Sequence, residues 1–534
     1  MSEAFLSAPS LWELLERRAA ATPDALFAID EAERTRSFAE LLGAAEDAAA
    51  GLAARGIGPG TPVSWMLPTW FESMVLVAAL ARLGAVQNPI LPIYREREVR
   101  FIARQSSARL LVVPSVWRKF DYAAMARAIA ADQPGLEVLV LDGELPRADR
   151  SALPAAPAAT AALDAPVRWL FYTSGTTADP KGARHTDATL MAAARGMAGV
   201  LDLATDDRVA MVFPFTHVGG IVWLFSGLMA GCSFVIVPIF DPETSIDVLA
   251  RHGVTQATAG TAFHQAYLAA QRRRREAGDL RPLFPAVRSF PGGGAPKPPQ
   301  LHFDVKEEMG APVVSGYGMT ECPILVMNSV RDSDEKLAHT EGRPCPAEVD
   351  VRIVKNDESI AAAGEEGEFR VRAPQLFRGY LDESLNAAAF DANGYFRTGD
   401  LGYLDRDGYA VITGRLKDVI IRKGENISAK EVEDLLYQHP KVADVAVIGL
   451  PDAETGERCC AVVQCRDPAE GLAFAEMVAF LKDRGLMVQK IPEQLELTDQ
   501  VPRNATGKIL KHELRARYRA SPAAERSDGR ARGR

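Results

Sequence analysis

The stretch TSGTTADPKG, Thr173 to Gly182, gathers the hydroxyls of Thr173, Ser174, Thr176 and Thr177, the small Gly175 and the ammonium of Lys181 behind the apolar run VRWLFY. Hydroxyls, free backbone N–H groups and one cation can wrap a polyphosphate. A Walker loop needs G-x-x-x-x-G-K-[ST]; here Pro180 precedes Lys181 and Gly182 follows it, so that spacing fails. The same composition also suits a flexible Ser/Gly surface loop. A second stretch, SGYGMTE from Ser315 to Glu321, offers Glu321 as a hard oxygen ligand for Mg²⁺, Thr320 as a hydroxyl for a phosphate oxygen and Tyr317 as a flat face for a purine. Taken alone, Tyr317 is equally a core residue and Glu321 a surface charge.

Two further stretches lie toward the C-terminus. In GYFRTGDLGYLDRDGY, Gly394 to Tyr409, the carboxylate of Asp400 can accept both hydroxyls of a ribose, and Arg415 in GRLKD follows closely enough to hold the same sugar. Asp400 is also the kind of loop carboxylate that caps backbone N–H groups. VPRNATGKILK, Val501 to Lys511, presents Lys508 after a glycine in a turn, where a solvated basic loop is the plain alternative.

The elements that must position these loops follow from periodicity. ARLLVVPS (108–115), LEVLVLDG (136–143), WLFYTS (169–174) and FVIVPIF (234–240) read as buried strands, and DYAAMARAIAAD (121–132) between them has helical spacing. That alternation predicts parallel sheets covered by helices, with ligands where loops leave the carboxyl ends of strands. Thr173 begins such a loop. After about residue 340 short strands and tight turns take over, and GYLDRDGYAVITGR (402–415) reads as a hairpin turning at Asp407-Gly408. A smaller α+β unit begins near Gly414, where Ser428 to Glu431 form a capping box opening a helix with Val432, Leu435 and Leu436 on one face. The Ala/Pro-rich segment 150–166 reads as an exposed connector.

Composition narrows the partners. A net charge of −9 argues against nucleic acid, and the arginine-rich end beyond about residue 518 reads as a disordered, solvated tail. The six cysteines form no C-x-x-C pair, so no zinc site is expected and a reduced, cytoplasmic setting fits best. The N-terminal residues read as a capped amphipathic helix, not a cationic leader. The uncharged run from Gly219 to Phe240 is long enough to span a bilayer, yet the glycines at both ends of its first half and the β-branched residues of its second half favour a buried helix, a turn at 231–233 and a core strand.

In this order the four stretches resemble the AMP-forming adenylating enzymes, namely acyl-CoA synthetases, adenylation domains of peptide synthetases and luciferases. The resemblance runs to about Lys511 and includes PFTHVGG (214–220), PGGGAP (291–296), EGRPCP (341–346), GEFRVRAPQLFRGY (367–380) and KGENISAKEVE (423–433). It implies a large α/β N-terminal domain of doubly wound sheets with a small β-barrel-like subdomain, residues 1–415, and a smaller mobile α+β domain, 416–534, pivoting near Lys417. It implies ATP, Mg²⁺ and coenzyme A as reactants and cofactors, and a carboxylic acid as substrate. Thr173, Ser174, Gly175, Thr176, Thr177 and Lys181 would hold pyrophosphate. Thr320 would touch phosphate, Glu321 hold Mg²⁺, and Tyr317 stack on adenine beside Gly293, Gly294, Ala295 and Pro296. Asp400 and Arg415 would fix the ribose, Lys508 would bridge carboxylate and α-phosphate, and Gly424 would line the thiol tunnel. Alanine at 178 departs from the family's usual glycine.

For the acyl group, His217 is expected where carboxylate and thiol meet, with Gly219, Gly220 and Gly318 leaving room, Gly316 also lining the pocket, and Phe215, Val218, Trp223 and Phe263 as apolar walls. A core histidine is the alternative reading of His217. No Asp or Glu lies in 211–222 to hold an ammonium, and acetate-specific members carry an aromatic residue at the Gly318 position. The expected substrate is therefore a medium-chain, alicyclic or aromatic acid. Absence of an appended carrier domain favours free coenzyme A over a carrier protein, and self-association is left open.

Overall fold

The computed structural model describes residues 2–158, 160, 164–173, 180–295, 297–422, 425–452, 455–503 and 508–519. By internal contacts the chain divides into two compact units: 1–351 with 371–397 and 408–410, and 352–370 with 398–407 and 411–534.

In the first unit a six-stranded sheet runs in the spatial order Lys181–His185, Trp169–Thr173, Val86–Pro89, Pro62–Trp65, Leu110–Pro114, Glu137–Leu141. All neighbours are parallel except the first pair, which is antiparallel. Four of these strands are nearly all apolar, and Leu110–Pro114 is buried along its whole length, as a strand covered on both faces must be. A second sheet orders Arg208–Met211, Ser233–Ile236, Leu26–Asp30 and Thr35–Ser37. Single parallel bridges from Val209 to Gln256 and from Gln256 to Ser289 carry it on to a third, Phe290–Gly293, Val313–Tyr317, Val326–Met327, Arg343–Pro344. The parallel sheets covered by helices expected from the alternating pattern are what forms, in the doubly wound α/β architecture that the resemblance implies.

Helices cover these sheets for local reasons. Tyr122–Ala131 begins where Asp121 accepts the Ala124 N–H at 2.8 Å. Leu11–Ala21 is capped by Ser10, which accepts from the Glu13 N–H. Across the fold, the buried Asp187 carboxylate ties this helix to the central sheet, accepting the Leu11 N–H at 3.0 Å and Trp169 Nε1–H at 2.7 Å. The uncharged run 219–240 resolves as the helix Val218–Ala230, a left-handed stop at Gly231 with φ +79°, and the strand Ser233–Ile236. Among the described residues no helix is long and apolar enough to cross a membrane.

Beyond residue 340, Asp350–Val354, Gly367–Arg372, Phe396–Leu404 and Ala410–Arg415 form a four-stranded sheet whose last two strands turn at Gly408. In the second unit, Glu425–Ile427, Ile420–Arg422, Gly456–Cys465 and Val442–Asp452 make another sheet, with Gln494–Leu497 parallel to the third strand. The strand Val442–Asp452 is buried on both faces. Val445 and Val447 pack in a cluster with Val432, Leu436, Met477 and Leu481 of two helices. Ala446, Ile448 and Leu450 cluster with Val501, Leu514 and Tyr518, the last two from the helix Lys511–Tyr518. The capping box at 428–431 is only half made: Ser428 Oγ accepts the Glu431 N–H at 3.3 Å, but the Glu431 carboxylate pairs with Lys490 instead of reaching back.

Candidate active site

In the first unit the phosphate-loop candidate is a hairpin, not a strand-to-helix turn. Thr173 ends one strand and Lys181, directly opposite it, begins the antiparallel return strand. Ser174, Gly175, Thr176, Thr177 and Ala178 lie outside the described residues. Lys181 Nζ sits 5.3 Å from the ring centre of Tyr380. The Tyr380 hydroxyl donates to Glu321 Oε1 at 2.7 Å, and burial together with the Glu321 charge pushes the phenol pKa up. The Phe377 N–H donates to the Glu321 carbonyl at 2.8 Å. One carboxylate oxygen of Glu321 is thereby oriented.

Thr320 is held from the other side. His185, on the strand that starts at Lys181, is fully enclosed, and burial draws its pKa down to about 4, so the ring is neutral. Its Nε2 lies 2.8 Å from the Thr320 carbonyl, which can only accept, so the ring proton is on Nε2. Nδ1 then accepts from Thr189 Oγ1 at 3.0 Å. Tyr317 ends the strand Val313–Tyr317, half-buried, and Gly316 pairs in parallel register with Gly293. A Cβ at Gly293 would stand 2.5 Å from the Gly316 carbonyl oxygen. Gly294 has φ +80° with nothing within 4 Å of its Cβ position, so backbone is exposed there for a flat ligand. Beside it a shallow recess is lined by His264, Gly292, Gly293, Ala295, Lys297 and Ser315, among others. Pro296 lies outside the described residues.

His217 is the N-cap of the helix Val218–Ala230, its Nδ1 accepting the Gly219 N–H at 3.1 Å. Burial draws its pKa to about 4. The ring is neutral, with its proton on Nε2, and serves as a hydrogen-bond donor rather than a base. Gly219, expected to open the acyl pocket, faces side chains, with the His217 ring 3.2 Å and Phe213 4.0 Å from its Cβ position. A Cβ at Gly220 would strike the Phe215 backbone at 2.6 Å, and one at Gly318 the Ile324 nitrogen at 2.5 Å. Tight turns need both, so the room inferred from Gly318 does not follow from its missing side chain. Gly316 approaches Met327 at 3.2 Å. Phe215 and Trp223, expected as pocket walls, are core residues, as is Val218. The accessible aromatics are Phe213 and the pair Phe240–Phe263, with centroids 4.8 Å apart.

In the second unit Asp400 is buried, and Arg415 Nε lies 2.6 Å from its Oδ1. The part of the strand Phe396–Leu404 bearing it is fixed by Glu368, which accepts the Gly399 N–H at 3.2 Å, and by Thr398 Oγ1, which accepts the Asp400 N–H at 3.1 Å. Lys508 joins this group. Burial, then the charges of Arg415 and Lys417, lower its pKa to about 8, and Asp400 and Asp418 act the other way. Burial and Arg415 also lower the pKa of Lys417. The segment carrying Lys508 is anchored on both sides: Arg503 pairs with Asp444 at 2.8 Å, and Lys511 with the buried Glu433 at 2.7 Å. Arg515 Nη2 reaches Asp418 at 2.8 Å, beside Lys417. Gly424 lies outside the described residues.

Sequence reasoning missed His185, Tyr380, Glu368 and Asp418. Tyr380 lies in a quoted stretch and still carried no role, because its partner Glu321 is 59 residues away. Nothing local marks His185.

The sequence matches two family descriptions, AMP-binding enzyme over residues 15–381 and AMP-binding enzyme C-terminal domain over 431–508. It is 31% identical to a medium-chain fatty-acid–CoA ligase of Escherichia coli (strain K12), covering 95% of this chain and 90% of that protein. It is 34% identical to a salicyl-AMP ligase/salicyl-S-ArCP synthetase of Mycobacterium tuberculosis, covering 96% and 91%. The solved o-succinylbenzoate coenzyme A synthetase of Bacillus subtilis, in complex with ATP and magnesium ion, superposes with TM-score 0.78 at 29% identity over 94% and 98% of the two chains. Likeness of this extent, running through both matched segments at once, places the chain in the AMP-binding enzyme family of adenylate-forming acid–thiol ligases.

Proposed function

We propose that the protein is an ATP-dependent acid:CoA ligase acting on a medium-chain, alicyclic or aromatic carboxylic acid. A carboxylate oxygen attacks the α-phosphorus of ATP, the bond to the β-phosphate oxygen breaks, and pyrophosphate leaves. The thiol of coenzyme A then attacks the acyl carbonyl, loses its proton, and AMP departs. Because one anion must approach another, the protein's task is charge neutralisation and positioning. The observation that carries this reading is the grouping of Lys508 with the Asp400–Arg415 pair. Asp400 and Arg415 would hold the ribose, and Lys508 would add charge where the pentacoordinate phosphorus becomes more negative.

Thr173, Lys181 and Thr320 would contact the leaving phosphates together with 174–177, and Tyr317 with 293–296 would hold adenine. Glu321 fits Mg²⁺: one oxygen is engaged by a phenol, which leaves a hard carboxylate donor of the kind that completes a shell of phosphates and waters. Bound there, the ion would draw off charge from the phosphate oxygens. His217, a neutral N–H donor, would orient the acid. The division of labour is placed at 415/416 with Lys417 as pivot, Lys508 serving the first half-reaction and Gly424 the second. A reduced, cytoplasmic setting is proposed with it, supported by six cysteines all in thiol form.

The likeness to a synthetase that loads an aryl carrier protein favours a second reading, in which the acceptor is a carrier protein in trans. A panel of carboxylic acids assayed for pyrophosphate release with coenzyme A or carrier protein as acceptor tests both. Activity on acetate alone would remove the proposed substrate range, and transfer to carrier protein alone would establish the second reading.

A further inference from the structure

One buried side chain, Tyr380, touches a lysine with its ring and a carboxylate with its hydroxyl, and the backbone explains why. Residues 378–381 run antiparallel to the return strand Lys181–His185. The Arg378 N–H donates to the Arg184 carbonyl at 2.7 Å, the Arg184 N–H to the Gly379 carbonyl at 3.1 Å, and the Leu381 N–H to the Gly182 carbonyl at 2.8 Å. Tyr380 is directly opposite Ala183 in this pairing. Lys181 lies two residues before Ala183, so it shares a face with Tyr380 as its diagonal neighbour. Lys181 Nζ accordingly sits over the Tyr380 ring, 5.3 Å from its centre, within the range of a cation–π contact.

The ring is locked from behind. Phe377 meets it edge-on with centroids 4.8 Å apart, and Phe377 packs in turn on Phe390 and Phe396 at 5.7 and 5.2 Å. Asn386 Oδ1 accepts the Tyr380 N–H at 2.8 Å. At the far end the hydroxyl donates to Glu321 Oε1 at 2.7 Å, and burial with the Glu321 charge keeps that phenol protonated. Among the described residues Lys181 and Glu321 make no ion pair with each other. A direct pair would let the ammonium and the carboxylate satisfy one another, and each would then have less to offer a phosphate or a metal ion. The phenol is neutral, and it presents a π face to the cation and an O–H to the anion.

We propose that Tyr380 is a positioning residue that keeps Lys181 and Glu321 apart, so that Lys181 is available to phosphate and the second oxygen of Glu321 to Mg²⁺. The assignment rests on the reading of Glu321 as the carboxylate that holds the ion. Tyr380 acts through Glu321 and touches neither ATP nor the metal itself.

Tyr380→Phe keeps the ring, its packing and its face toward Lys181, and removes only the hydroxyl. Binding of ATP to the full chain is measured by calorimetry as Mg²⁺ is titrated, with AMP as the control that lacks the phosphates to be bridged. The Mg²⁺ concentration that half-saturates ATP binding is expected to rise about tenfold, the scale of losing a group that orients a metal ligand. The Kd for AMP should stay at the wild-type value. Glu321→Gln should raise the same Mg²⁺ concentration, and Tyr380→Phe added to it should raise it no further, because the hydroxyl works only through that carboxylate. An unchanged Mg²⁺ requirement in Tyr380→Phe, an equal weakening of AMP, or effects of the two substitutions that simply add, each overturns the assignment of Tyr380 alone. Wild-type enzyme that binds ATP equally well with and without Mg²⁺ overturns the reading of Glu321, and the assignment of Tyr380 with it.

Discussion

The proposed adenylation step would need Lys508 charged, and burial with the charges of Arg415 and Lys417 brings its pKa down to about 8. As pH rises through that value the ammonium is lost, so acid-dependent pyrophosphate exchange is expected to decline on that limb. Bound ATP, a polyanion, moves the limb upward. Transfer from supplied acyl-adenylate to coenzyme A should lack it. Lys508→Ala should cut exchange by about 10²-fold or more, the scale of removing one group that meets developing charge, and leave transfer largely intact. Equal loss of both half-reactions would refute the division of labour. The glycines make a second contrast. Gly219→Ala should shift preference toward smaller acids, because its methyl faces His217 and Phe213. Gly318→Ala should impair every acid alike, because its methyl meets the Ile324 backbone. A substrate panel on each variant separates the two.

At the level of elements, the strand Lys181–His185 delivers two groups at once, Lys181 toward the Tyr380 ring and His185 to the Thr320 carbonyl. His185→Leu leaves that carbonyl unpaired, with an expected stability loss of about 1–3 kcal/mol and a weakened exchange reaction. His185→Gln, which retains an N–H donor, should restore part of both. Thermal melts and exchange rates read the two effects, and a fully active Leu variant would show the contact to be dispensable. Four of the strands and the helix over 121–132 were legible because their patterning is local: four apolar runs, a helical spacing, glycine where a helix stops. What pairs across the chain was not. That Tyr380 aligns Glu321 and that Glu431 abandons its capping box for Lys490 each depend on a partner 59 residues away, and that Lys181 lies on a return strand depends on its pairing with Thr173. Gly318 misled for a related reason: a missing side chain reads the same from sequence whether it opens a pocket or lets two backbones touch.

Across the molecule, the second unit is completed late in the sequence. Burial raises the Asp418 pKa, but Arg515, Lys511 and Lys417 outweigh it and hold the carboxyl below its ordinary value. A depressed carboxylate contributes stability above its unfolded pKa and loses it as pH falls through the folded value, so Arg515→Ala should flatten the acid limb of stability. Acid titration of the Tm checks this, and an unaltered limb would exclude the pair. Leu514 and Tyr518 close the second face of the strand Val442–Asp452, and burying each such side chain contributes about 1.5–3 kcal/mol. That strand therefore keeps one oily side uncovered while the ribosome is still reading the preceding seventy or so codons. The nascent second unit is thus vulnerable to sticking to its neighbours until the helix Lys511–Tyr518 has emerged.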